Sequence, residues 1–136
     1  MSAPLIRRLV VVGVGLIGGS FAAALKRAGQ VGEVVGMGRS VESKRDALAL
    51  GLIDRVETDW ATALNDADLV LLAMPVGQMD DVMAQLVPHL PPRAIVTDAG
   101  STKSDVVAAA RRQFGSRIGQ FVPGHPIAGA EKSGPQ

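Results

Sequence analysis

Short runs of consecutive apolar residues alternate along the chain with longer stretches in which apolar positions recur at helical spacing. Leu9–Val14, Glu33–Met37, Asp68–Met74 and Ala94–Ala99 are the near-continuous runs, and such runs predict strands buried on both faces. Weaker strand candidates surround Val56 (Arg55–Glu57) and Phe121 (Gln120–Gly124). Between the strands, Ile17, Phe21, Ala24, Leu25 and Ala28 fall on one helix face, and Gly29 ends the segment. Val76, Met79, Met83, Leu86 and Val87 repeat the pattern up to the Pro-rich stretch 88–92, and Val106, Val107 and Ala110 repeat it in a helix expected to begin near Ser104. This alternation predicts an α/β fold, a doubly wound and mostly parallel sheet covered by helices. From Gly115 onward helical periodicity disappears and glycine and proline become dense. There is no internal repeat, low-complexity tract or linker.

Composition narrows the classes. A chain of 136 residues with 47% hydrophobic content suits one globular domain. The formal net charge of +1 supplies no general attraction to nucleic acid or to an anionic membrane. The absence of cysteine excludes a disulfide framework, a thiolate metal site and a cysteine nucleophile. The apolar run that follows Arg7 and Arg8 is short and broken by glycines, unlike a secretory signal. No stretch approaches the roughly 20 apolar residues of a membrane span. The expectation is a soluble, cytoplasmic protein.

Gly13, Gly15 and Gly18 form G-x-G-x-x-G directly after the first strand and at the start of the first helix, the place where this motif marks a Rossmann dinucleotide-binding domain. Gly13 permits the tight turn, Gly15 admits close approach of a pyrophosphate, and Gly18 lets helix and strand pack. The helix N-terminus offers unpaired N–H groups to the anion. Leu16 and Ile17, between these glycines, complete the predicted phosphate-binding turn.

The end of the second strand selects the dinucleotide. NAD-binding domains usually carry an acid there for the ribose 2′-hydroxyl, whereas this chain has Gly38, Arg39 and Ser40. A carboxylate repels a 2′-phosphate, and a guanidinium grips it with paired charge-assisted hydrogen bonds. The pattern favours NADP, with NAD as the alternative.

Ligands of such folds occupy the crevice beyond the carboxyl ends of the strands, so the later loops matter. Proline at a first helical turn is sufficient to explain Pro75; lining the cofactor's path with Met74 is a further expected role. Ser101 or Thr102 reads as the cap of the following helix, with Asp105 completing a partial capping box. Asp98 and Lys103 read as an ion pair. If the stretch around Phe121 is a strand, His125 emerges at the same edge as the glycine turn. His89 lies in a helix-ending turn toward the opposite edge and reads as solvated.

Together "VGVGLIGGSFAAALKRAG", "IVTDAGSTK" and "GHPIAGAEKSG" resemble the prephenate and arogenate dehydrogenases of tyrosine biosynthesis, over essentially the whole chain. The resemblance implies an NAD(P)-dependent oxidative decarboxylation of prephenate or arogenate, in which hydride leaves the ring carbon bearing the 4-hydroxyl, carbon dioxide departs and the ring becomes aromatic. It implies that His125 is the catalytic histidine bonded to the substrate hydroxyl, and that Ser101 helps to orient histidine, substrate and nicotinamide. Members of this family resemble two-domain proteins whose helical C-terminal domain forms a homodimer and binds the substrate carboxylates. Residues 1–136 are therefore expected to be the cofactor half, with an incomplete substrate site. A nucleotide-sensing module without catalysis and a β-hydroxyacid-type dehydrogenase are the competing expectations.

Overall fold

A computed structural model of the chain describes residues 6–13, 16–37, 45, 51, 53–99 and 103–124. In chain order these form β1 (Ile6–Val12), α1 (Leu16–Arg27), β2 (Val31–Met37), β3 (Arg55–Val56), α2 (Trp60–Leu64), β4 (Leu69–Leu72), α3 (Val76–Leu86), β5 (Ile95–Asp98), α4 (Lys103–Phe114) and β6 (Phe121–Val122). One 3-10 turn, Val87–His89, follows α3, and another, Gly115–Gln120, joins α4 to β6.

The strands make one six-stranded sheet in the order β3-β2-β1-β4-β5-β6, and every pairing is parallel. The sheet expected from the sequence is thus present, parallel at every pairing among the described residues, and both weak strand candidates are its edge strands. Leu9, Val10, Val11 and Val12 are all buried because successive side chains of a strand point to opposite faces and each face is covered. Val10 and Val12 join Val35, Val70, Leu72 and Val96 in a core completed by Met79 and Met83 of α3 and by Val106, Ala110 and Phe114 of α4. Leu9 and Val11 join Val34 and Leu71 in a second core beneath Ala22 of α1. Met79 and Met83 are fully buried, and truncating either to alanine costs about 2–5 kcal/mol.

Local chemistry sets the element ends. Gly29, at φ +71°, terminates α1: its N–H donates to the Lys26 carbonyl and the Gln30 N–H to that of Leu25, the paired bonds of a Schellman motif. The short helix α2 has no counterpart among the helices expected from apolar spacing, because one and a half turns carry no repeat. Its signal is Asp59, whose carboxylate accepts the Thr62 N–H at 2.9 Å as N-cap. At the amino edge of the sheet Asp68 accepts the Arg7 backbone N–H at 2.8 Å and the Arg7 guanidinium at 3.0 Å, which ties the start of β1 to the entry of β4.

Register aligns the opposite edge. Val12 stands beside both Met37 and Leu72, and Leu72 beside Asp98, so four strands finish in one row. The strand order reverses between β1 and β4, which makes the crevice above that row the topological switch point of the sheet.

Candidate functional site

The glycine turn starts from that row. Gly13 follows Val12 with φ +81°, a left-handed conformation that glycine adopts without a Cβ penalty. Its N–H donates to the Met37 carbonyl at 2.6 Å, and the Ala73 N–H donates to the Val12 carbonyl at 2.8 Å. The ends of β1, β2 and β4 are thereby joined. A Cβ at Gly13 would lie 2.9 Å from the Ala73 carbonyl oxygen and 3.0 Å from the Met74 Cβ. The backbone of α1 begins at Leu16, so its unpaired N–H groups open onto this edge.

Beside the turn lies a cavity of about 420 Å³ lined by Val12, Gly13, Met37, Trp60, Ala73, Met74, Pro75, Gln78, Asp81, Val82 and Gln85. This volume is within the range of small-molecule sites. Its floor is the end of the sheet, and its walls are one face of α3, from Gln78 to Gln85, and the start of α2. Trp60 is half-buried, packed against the larger core, and its indole N–H donates to Gln85 Oε1 at 3.0 Å.

Farther along the edge, Asp98 is a buried carboxyl side chain, 3% exposed. Its Oδ1 accepts the Gly124 N–H at 2.9 Å. A Cβ on Gly124 would overlap the Asp98 carbonyl oxygen and come within 2.9 Å of Thr97 Oγ1. Glycine is therefore required where the chain leaving β6 crosses β5. Asp98, read from the sequence as a partner of Lys103, thus has a backbone partner 26 residues away.

The structure brings Gly13, Met74 and Pro75 together in the cavity wall and places the backbone of Leu16, Ile17 and Gly18 in the first turn of α1. Gly15, Gly38, Arg39, Ser40, Ser101, Thr102 and His125 lie outside the described residues. Their described neighbours Met37, Ala99 and Gly124 all lie at the carboxyl edge. His89 is exposed in the turn after α3 and lines a separate cavity with Arg7 and Arg93, at the amino edge. Sequence reasoning missed Trp60, Gln78, Asp81, Val82 and Gln85. The signal was available in α3, where positions 78, 81, 82 and 85 fall on one helix face beside the buried stripe of Met79 and Met83.

Fold and site together define a Rossmann-type nucleotide-binding domain. The family described as prephenate dehydrogenase, nucleotide-binding domain, matches residues 21–136. Prephenate dehydrogenase of Lactococcus lactis subsp. cremoris is 34% identical over 94% of this chain, and cyclohexadienyl dehydrogenase of Zymomonas mobilis is 39% identical over 95%. The crystal structure of prephenate dehydrogenase from A. aeolicus in complex with hydroxyphenyl propionate and NAD+ superposes with a TM-score of 0.79 at 37% identity, covering 90% of this chain and 42% of that one. The chain belongs to the prephenate dehydrogenase family, as its nucleotide-binding domain. It spans 36% and 43% of the length of the two curated relatives.

Proposed function

We propose that this chain is the cofactor-binding domain of an NADP-preferring dehydrogenase that oxidatively decarboxylates prephenate or arogenate. The observation that carries the reading is family membership combined with a carboxyl edge on which the glycine turn, the cavity and the Asp98–Gly124 contact converge. A nicotinamide dinucleotide fits the residues present. The left-handed Gly13 opens the turn without a side chain, the start of α1 offers N–H groups to a pyrophosphate, and the cavity accepts an uncharged portion of the molecule.

In this reading Gly13, Gly15 and Gly18, with Leu16 and Ile17, hold the pyrophosphate by backbone contacts. Arg39 and Ser40, just beyond Met37, bind the 2′-phosphate, the guanidinium by bidentate hydrogen bonds. Met74 and Pro75 line the path, and Ser101 orients the reacting groups. The nicotinamide supplies the hydride acceptor. As hydride leaves the hydroxyl-bearing ring carbon, His125 accepts the hydroxyl proton. Histidine as a residue type can hold and release a proton near neutral pH, which suits it to the role of general base. Loss of carbon dioxide then leaves an aromatic ring. The hydrogen bond between Asp98 and Gly124 supports this role, because it anchors the residue directly before His125 to the edge that carries the glycine turn.

The length of the relatives supports a further domain in the whole protein, one that completes the substrate site and forms a homodimer. The cysteine-free sequence accords with the cytoplasm. Calorimetry on the 136-residue chain and turnover assays on the whole protein test the proposal. The chain should bind dinucleotide with little or no turnover, and the whole protein should reduce NADP with prephenate or arogenate. A chain that binds neither NADP nor NAD, or a whole protein inert with both substrates, refutes it.

A further inference from the structure

Trp60 has no place in the chemistry above, yet it forms one wall of the cavity beside the glycine turn. Two observations indicate what that cavity takes. Among the described residues its lining contains neither lysine nor arginine, and the charged side chain it does contain is the carboxylate of Asp81, so the described lining offers no cation to a phosphate. The remaining lining combines an apolar floor of Val12, Met37, Ala73 and Val82 with the side-chain amides of Gln78 and Gln85. That surface is suited to a flat, uncharged heteroaromatic group with polar edges.

Position decides which end of a dinucleotide this is. The cavity adjoins the ends of β1, β2 and β4, whereas Asp98 and Gly124 lie on the far side of β4, at β5 and β6. A pyrophosphate at the start of α1 directs one nucleoside toward β2 and the other toward β5.

We propose that Trp60 is the stacking platform for the adenine of the bound dinucleotide, oriented by its hydrogen bond to Gln85, with Gln78 and Asp81 facing the polar edge of the base. The proposal rests on the dinucleotide reading and names the residues that recognise the base. The indole is already held in place, since one part is packed on the core cluster and its N–H is engaged at 3.0 Å. Little side-chain freedom therefore remains to be lost on binding. The carboxylate of Asp81 suits the exocyclic amine, which donates two hydrogen bonds.

Trp60 is the chain's single tryptophan and there is no tyrosine, so its fluorescence reports on this cavity alone. AMP, nicotinamide mononucleotide, NADP and NAD are titrated into the 136-residue chain, with emission and calorimetric heat recorded in parallel. AMP and NADP should quench Trp60, and nicotinamide mononucleotide should leave its emission unchanged. Trp60→Ala should weaken AMP about tenfold, in keeping with the loss of one base–aromatic stack, whereas Trp60→Phe should stay within about threefold. NADP binding detected by heat without quenching overturns the proposal and leaves the dinucleotide reading standing. Quenching by nicotinamide mononucleotide alone assigns the cavity to the other base and overturns it as well. Absence of heat with both NADP and NAD overturns both readings. The wild-type titration decides the matter even if Trp60→Ala fails to fold.

Discussion

Replacing Gly13 by alanine tests whether the turn is shaped by conformation alone or also by the wall behind it. Two costs add. A residue with a Cβ at φ +81° incurs about 1–2 kcal/mol for left-handed backbone. The new Cβ also lies 2.9 Å from the Ala73 carbonyl oxygen and 3.0 Å from the Met74 Cβ, closer than ordinary van der Waals contact. The Ala73 backbone is held by its hydrogen bond to Val12, so relief requires movement of the β4 loop, an overpacking cost of about 1–3 kcal/mol. The sum, about 2–5 kcal/mol, lowers Tm by roughly 8–20 °C at about 4 °C per kcal/mol. Gly29→Ala separates the two costs. Gly29 has nearly the same φ, +71°, but nothing within 4 Å of an added Cβ, so it should lose only the first. Gly77→Ala, in α3 and also in open space, should be neutral or slightly stabilising. Urea denaturation of the three variants with a common m-value gives the comparison. Equal losses at Gly13 and Gly29 would refute the argument, because the wall at Ala73 and Met74 would then have yielded freely. Since those two residues also line the cavity, Gly13→Ala should weaken NADP binding in the same protein.

Three further outcomes are expected. NADP should bind this chain more tightly than NAD, and Arg39→Ala should remove most of the difference in calorimetry; equal affinities in the parent chain would count against the 2′-phosphate assignment. In the whole protein, His125→Asn should lower kcat by about 10²- to 10⁴-fold and abolish the acid limb of the pH–rate profile while sparing NADP affinity. His89→Asn, at the amino edge, should be silent, and steady-state kinetics showing kcat intact in both variants would remove the catalytic role. Side-chain and backbone hydrogen bonds from Arg7 hold Asp68 below the usual carboxylate range. The stability it contributes is complete above its unfolded value, about pH 4, and is lost as pH falls through the lower folded value. Urea midpoints measured across the acid range should decline less steeply in Asp68→Asn than in the parent chain.

Much of the fold was legible because its signals are local. The buried strands declare themselves as runs of Val and Leu, the helices as apolar spacing ended by Gly29 or by Pro88 and Pro91, and the glycine turn as three glycines at the strand-to-helix junction. Each of these depends on residues within a few turns of one another. Helix α2 was missed because five residues carry no periodicity, and the strands at Val56 and Phe121 were weak because a two-residue strand depends on its neighbour more than on its own composition.

The sequence by itself thus determined the fold class, the glycine turn that opens the first helix and the residues proposed for its chemistry. Tertiary structure decided what those residues have beside them. Trp60 meets Gln85 across 25 positions, and Asp98 meets Gly124 across 26. Only the register of parallel strands, which aligns Met37, Val12, Leu72 and Asp98 in one row, brings such distant segments to a common edge. Parallel strands are joined through crossovers of a dozen or more residues, so neighbours across the sheet are remote along the chain and leave no spacing to read. For the same reason a tryptophan with no signal around it in the sequence becomes the wall of a cavity in the fold.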